Sequence, residues 1–282
     1  MNHRIVALLV ACLALVASRA NAAEGYDNCT GFVDSLPATI ATQGTWCLRD
    51  DLSTAMTSGA AITIAANNVT LDCNHFKVGG LAAGPGTLTT GVFAEDHGNV
   101  VVRQCNVRGF YTGIAIYQGS GAVVEDNRIE ASLHYGIELQ GAGADAFAVA
   151  RRNLVLDTGG TQYPIAIRAF AGVQVLDNLV DRIASTADGS LSGIQMFGAQ
   201  GSIVGNRIRG LAPGPGADAY GIRLFAAQAV NIRDNDLFGP GAAGSVGVFC
   251  DDASSRVRDN LVNGFAQSLA TCANAGGNDL FN

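Results

Sequence analysis

Val124-Glu125-Asp126-Asn127 returns along the chain in five further versions: Ala150-Arg151-Arg152-Asn153, Val175-Leu176-Asp177-Asn178, Ile203-Val204-Gly205-Asn206, Ile232-Arg233-Asp234-Asn235 and Val257-Arg258-Asp259-Asn260. By subtraction of positions, the Asn recurs after 26, 25, 28, 29 and 25 residues. Upstream, Val102-Arg103-Gln104-Cys105 and Thr70-Leu71-Asp72-Cys73 fit the pattern with Cys in the Asn place. A second column follows the first: Gly113-Ile114-Ala115-Ile116, Gly136-Ile137-Glu138-Leu139, Pro164-Ile165-Ala166-Ile167, Gly193-Ile194-Gln195-Met196, Gly221-Ile222-Arg223-Leu224 and Gly247-Val248-Phe249-Cys250. Internal similarity at such a period is the signature of a solenoid.

Each segment alternates apolar and variable residues over four or five positions, which is strand period. Parallel strands joined by helices need longer and less Gly-rich connections than these. A chain that coils, with each strand pairing to its equivalent one turn on, meets the pattern. The expected architecture is therefore all-β, a right-handed parallel β-helix of about eight to nine coils rising ~4.8 Å each, or roughly 40 Å in all. Stacked Asn side chains can hydrogen-bond along such a column, and Asn tolerates the left-handed backbone of a sharp bend. Gly before the second strand suits a tight bend, and Pro164 is tolerable at a first strand position.

Six Cys lie beyond residue 22, an even number that reads as disulfides in an exported chain. Cys73 and Cys105 share the Asn column on neighbouring coils, so their Cα atoms fall within the ~4.4–6.8 Å range a disulfide spans. Cys250 and Cys272 are one coil apart, and Cys29 with Cys47 closes the amino-terminal segment.

Export is itself an expectation from the first residues. Met1-Asn2-His3-Arg4 is basic, residues 5–18 are apolar almost throughout, and Ala20-Asn21-Ala22 offers small residues for cleavage. Residues 1–22 thus read as a signal peptide and place the protein outside the cytoplasm, secreted or periplasmic. Leu9-Val10-Ala11-Cys12 resembles a lipobox, and lipid anchoring at Cys12 is the minor alternative. No other apolar run reaches the ~18 residues of a membrane span. Residues 23–60 lack the repeat and read as an amino-terminal cap carrying Trp46 and a short helix at residues 52–57. The β-helix occupies 61–272, and 273–282 form a tail or a partial last coil. The net charge of −7, with Lys77 the only Lys, argues against nucleic acid as partner. Oligomeric state is not legible in these residues.

Together these residues resemble the parallel β-helix repeat superfamily, which shares its fold with pectin-lyase-like proteins. Residues 62–73 are similar to its first coil, and Val-x-Asp-Asn followed by Gly-Ile-x-Leu to its repeat, over nearly all of 60–272. The resemblance implies a groove on one sheet face that often holds acidic polysaccharide, so polysaccharide is the expected partner. The fold hosts many activities and selects none of them. Asp251-Asp252 lacks the Gly-His-Gly element of polygalacturonase-like hydrolases, and Glu95-Asp96-His97 is not the Asp-Pro-His of alginate epimerases. The loops are also short compared with enzymes of the fold.

No cofactor or metal is implied by a motif. Calcium is the one cation that the acidic column Asp72, Asp126, Asp177, Asp234 and Asp259 suits. The plainer reading of that column is a solvated row beside Arg103, Arg151, Arg233 and Arg258. The strongest catalytic set is His134, Glu138 and Arg168, a base, its partner and a clamp for a carboxylate. Tyr117, Tyr135, Phe197 and Phe225 are the candidate ligand-binding residues. Tyr117, Phe197 and Phe225 are expected to share one outward column with Gln140 and Arg168, open to stack sugar rings or else covered by the turns at 183–192 and 211–220. Binding without turnover is favoured; a lyase or epimerase acting on acidic glycan, and a structural or adhesive rod, are the alternatives.

Non-reducing peptide mapping should link Cys73 to Cys105, and circular dichroism should report strand. Another partner for Cys73, or a largely helical spectrum, would remove the register on which every neighbour relation depends.

Overall fold

The computed structural model describes residues 26–141, 143, 147–186 and 188–281; the expected signal peptide, Cys12 included, lies outside them. Among the described residues the chain winds as a parallel β-helix of three sheets with eleven, ten and ten strands. The first sheet contains Val101–Arg103, Ala122–Glu125 and Ala148–Arg151, just before the Asn column. The second contains Asn106–Arg108, Arg128–Glu130 and Leu154–Gly159, just after it. The third contains Thr112–Tyr117, Tyr135–Leu139, Ile165–Ala169, Leu191–Phe197 and Ala219–Phe225.

Every strand pairs in parallel with its equivalent one coil away, so inward residues stack into columns. Val102, Val124, Ala150, Val175 and Ile203 form one in the first sheet. Val107, Ile129, Val155, Val180 and Ile208 form another in the second. Ile114, Ile137, Ile167, Ile194 and Ile222 form the third. All fifteen are fully buried. Burying such side chains stabilises by ~1.5–3 kcal/mol each, and only an unbroken register buries all of them.

The bend between the first two sheets carries the Asn ladder. Each Asn from Asn127 to Asn260 donates Nδ2 to a carbonyl of the preceding coil and to the Oδ1 of the next Asn. That Oδ1 also accepts the backbone N–H of the Asn before it, as Asn206 does from Asn178 at 3.0 Å. The ladder runs one step further than the sequence suggested, to Asn278, 18 residues after Asn260. The left-handed residue of the bend is not the Asn but the one before it: Gln104, Asp126, Arg152, Asp177, Asp234 and Asp259 have φ of 52° to 57°. Asp is enriched there because it tolerates that conformation.

Three local expectations change. The Gly column of the third sheet is inside the strands and serves close approach: a Cβ on Gly113 would sit 2.6 Å from the Gly136 carbonyl oxygen, and one on Gly136 2.5 Å from that of Ala166. Ala166, not Pro164, therefore holds that place on its coil, because Ile137 pairs with Ile167. Residues 52–57 form no helix; Leu52–Ser53 is a strand paired with Val78 and Gly79, which extends the core column through Leu52. The other strands of the amino-terminal segment, Gly31–Phe32, Ala38–Ile40 and Gly44–Cys47, likewise join the sheets.

The three disulfides are Cys29–Cys47, Cys73–Cys105 and Cys250–Cys272, with Cα atoms 5.8, 4.6 and 5.0 Å apart. Cys73 is displaced by one place from the Asn column: Asp72 pairs with Arg103, so Cys73 follows opposite Gln104. The bridge tolerates this offset because both side chains still turn into the core at 1% exposure or less. No helix among the described residues is long and apolar enough to cross a membrane.

Replacing Asn178 with Ala removes the acceptor of the Asn153 N–H and the donor to the Ala150 carbonyl, all buried. With ~1–3 kcal/mol for each buried group left unpaired, the loss should be on the order of 3 kcal/mol in denaturant unfolding. Asn278→Ala, at the half-exposed end of the ladder, should cost about 1 kcal/mol.

Candidate functional site

From Val101 to Asn263 the bends between the first and second sheets take two residues, whereas those from the second to the third take three to six, six at 185–190 and 213–218. The longer turns stand beside the outer face of the third sheet and give it a wall. On that face, register sets two outward columns. One runs Phe93, Ala115, Glu138, Arg168, Gln195, Arg223 and Phe249. The other follows two residues later on each coil: Glu95, Tyr117, Gln140, Phe170, Phe197 and Phe225. Arg168 thus belongs to the column of Glu138, and Phe170 takes the place in the aromatic row expected for Arg168.

The expected cluster does assemble. Glu138 is 5% exposed. It accepts a short hydrogen bond from the Tyr117 hydroxyl and one of 2.5 Å from Arg168 Nη1. The Arg168 guanidinium lies 5.0, 4.9 and 4.9 Å from the ring centroids of Tyr135, Phe170 and Phe197, within cation–π range. Phe170, Phe197 and Phe225 follow one another at 5.2 Å between centroids. The turns leave this row partly open, and Phe225 is 45% exposed.

His134 precedes the strand Tyr135–Leu139 and lies between two rings, Tyr111 at 4.9 Å and Tyr135 at 3.9 Å. Its Nδ1 is 2.8 Å from Thr161 Oγ1. Burial, aided by the positive charge of Arg168, lowers its pKa to about 4. Tyr117 moves the other way: burial first, then its hydrogen bond to the Glu138 carboxylate, push the phenol far above its ordinary range. Burial also raises Tyr135. At neutral pH, then, the imidazole is uncharged and the phenols keep their protons.

A cleft of about 410 Å³ opens beside this cluster, lined by His134, Tyr135, Tyr163, Arg168, Gln195 and Arg223, with Ser190 and Ser192 on the turn side. Arg223, Phe170 and Tyr163 were not singled out from sequence. Arg223 stands where Glu138 does in Gly-Ile-x-Leu, so its place was legible; Phe170 was hidden by the two-residue offset at Pro164. Arg223 Nη1 donates to Ser190 Oγ at 3.2 Å, and its ring neighbours are Tyr220 at 4.6 Å and Phe225 at 5.5 Å. The Nε atoms of Arg168 and Arg223 are both buried without a hydrogen-bond partner.

Several other acidic groups are engaged locally. Asp252 accepts from the backbone and hydroxyl of Ser254, and Asp251 from the backbone of Ala226. Asp72 pairs with Arg103 at 2.8 Å, and Asp126 with Arg152 at 2.7 Å. Among the described residues no three His, Cys, Asp or Glu side chains converge as ligands for a metal.

Because the folded His134 titrates near 4 and an unfolded His near 6.5, the unfolded chain binds the extra proton between those values. Stability should therefore fall as pH drops from 6.5 to 4, by on the order of 1–2 kcal/mol for this group after solvent screening. Unfolding curves across that window should be flatter for His134→Gln.

The model of the right handed beta helix region matches residues 40–180 and 91–266 of this chain. No curated protein matches the sequence. Among solved structures, the Dettilon tailspike protein is 13% identical with a TM-score of 0.43, and the match covers 86% of this chain and 60% of the tailspike. The Azotobacter vinelandii mannuronan C-5 epimerase AlgE4 A-module is 15% identical with a TM-score of 0.41, covering 84% of this chain and 85% of the module. DFA-IIIase from Arthrobacter chlorophenolicus A6 without its lid is 12% identical with a TM-score of 0.38, covering 77% and 69%. With its Asn ladder, its three parallel sheets and a family match spanning most of its length, the chain belongs to the right-handed β-helix family.

Proposed function

We propose that this chain is an exported protein that holds a carbohydrate along the outer face of the third sheet without transforming it. The observation that carries this is the row Phe170, Phe197 and Phe225, spaced at 5.2 Å and partly open beside the cleft. The outer edges of these rings, which stack on one another at 5.2 Å, offer apolar surface for sugar C–H groups, while Gln195 and Ser190 line the cleft with hydrogen-bonding groups. Export is supported by the pattern of residues 1–22 and by three disulfides, which persist in oxidising compartments.

Binding is favoured over turnover because the groups that would catalyse are engaged with one another. Glu138 is held by Tyr117 and Arg168. Tyr117 is far too weak an acid to supply a phenolate, and a His134 that titrates near 4 is a weak base.

A glycan array should detect binding, and Phe197→Ala should weaken it about tenfold, the equivalent of ~1.4 kcal/mol of stacking. Incubation with uronate polymers should give no rise in the ultraviolet absorbance of unsaturated product. A rise that His134→Ala abolishes would replace this reading with a lyase. Absence of both binding and product would leave the rod.

A further inference from the structure

We infer that the cleft selects a glycan bearing one isolated acidic substituent, a carboxylate or a sulfate, on an otherwise uncharged chain. This rests on the glycan-binding reading above and specifies its ligand.

Two guanidiniums line the cleft, Arg168 and Arg223. Arg168 is already neutralised by Glu138 at 2.5 Å. Arg223 has no ion pair among the described residues; its polar contact is the Ser190 hydroxyl, and Tyr220, Phe225 and Phe249 surround it at 4.6, 5.5 and 6.0 Å. Its Nε, like that of Arg168, is buried without a partner, so an acceptor in the cleft meets the Nη side of its donor fork. A planar or tetrahedral oxyanion is the partner that such a fork accommodates best. His134, the remaining titratable nitrogen of the cleft, adds no charge at neutral pH. The cleft therefore offers one guanidinium that forms no ion pair among the described residues.

The flanks oppose further negative charge. The aromatic row begins at Glu95, which pairs in register with Tyr117. Continuing the pairing of Arg223 with Phe249 by two residues brings Asp251 opposite Phe225 at the other end, and the backbone of Ala226 donates to its carboxylate. Asp218 adds a third carboxylate, 3.3 Å from the Tyr220 hydroxyl. A polymer with an acid on every sugar would set its other charges along this acid-ended row, on a protein of net charge −7. A neutral chain with a single acid meets rings and hydroxyls everywhere except at Arg223.

The test is a set of immobilised glycans. It contains neutral oligosaccharides, the same chains carrying one glucuronate, the same chains carrying one sulfate, and polygalacturonate. Wild-type protein should bind at least one of the singly acidic forms tenfold or more tighter than its neutral parent, and polygalacturonate more weakly than that form. Arg223→Gln should lower the ratio of singly acidic to neutral binding at least tenfold, and Arg223→Lys should restore part of it. Which of the two acids is preferred identifies the substituent. Neutral parents bound as tightly as singly acidic forms, polygalacturonate bound as tightly or tighter, or a preference unchanged in Arg223→Gln would each overturn the inference and leave glycan binding standing. No binding to any member would defeat the glycan-binding reading itself. The wild-type ranking decides the matter even if Arg223→Gln does not fold.

Discussion

The structure depends on the stacking of buried Asn amides from coil to coil. A buried amide must find partners for two donors and an acceptor, and here each finds them only if the next coil lies in register. The Nδ2 of Asn178 reaches back to Ala150 and forward to Asn206, so one side chain ties three coils. Apolar columns alone would resist a one-residue slip, which turns the core outward. They resist a two-residue slip less well, because the same faces stay buried. The amides supply that missing discrimination, since only one alignment closes the chain of hydrogen bonds.

The bend before each Asn shows how the same constraint shapes the surface. Left-handed backbone falls one place ahead of the amide, on Gln104, Asp126, Arg152 and their equivalents. This leaves the Asn free to turn inward and places polar side chains outside, where Arg152 grips Asp126 with two bonds of 2.8 and 2.7 Å. Exposed pairs of this kind contribute ~0–1 kcal/mol each. Such pairs engage Asp126 and Asp234 of the acidic column, whereas Asp72, opposite Arg103 in register, lies one place off it.

On the third sheet, identical registration brings together residues that are 20 to 30 positions apart in sequence, such as Tyr117 with Glu138 and Glu138 with Arg168. Glu138 is thereby held by both neighbours at once. Its neighbour in the cleft, Arg223, forms no ion pair among the described residues and donates instead to Ser190. Longer turns between the second and third sheets complete the cleft, because coils of unequal length must place their surplus residues where no ladder constrains them.

The winding, two strand columns of each coil, the pairing of all six Cys and the outward face that gathers Tyr117, His134, Tyr135, Glu138 and Arg168 were legible in the sequence. Those features follow from period and composition, which repeat and so announce themselves. Only the tertiary structure decided which outward residues are neighbours along the axis. At Pro164 the apparent repeat runs two places out of step, which preserves the inward and outward faces yet moves Arg168 from the aromatic row to the Glu138 column and brings Phe170 into view. Cys73 is likewise one place from where its column suggested. Coil lengths vary, and the surplus is absorbed in the bends between the second and third sheets, such as 185–190 and 213–218. The hydrogen-bonded pairing of whole strands, a non-local quantity, therefore fixes the neighbours that a reading of each segment alone leaves open.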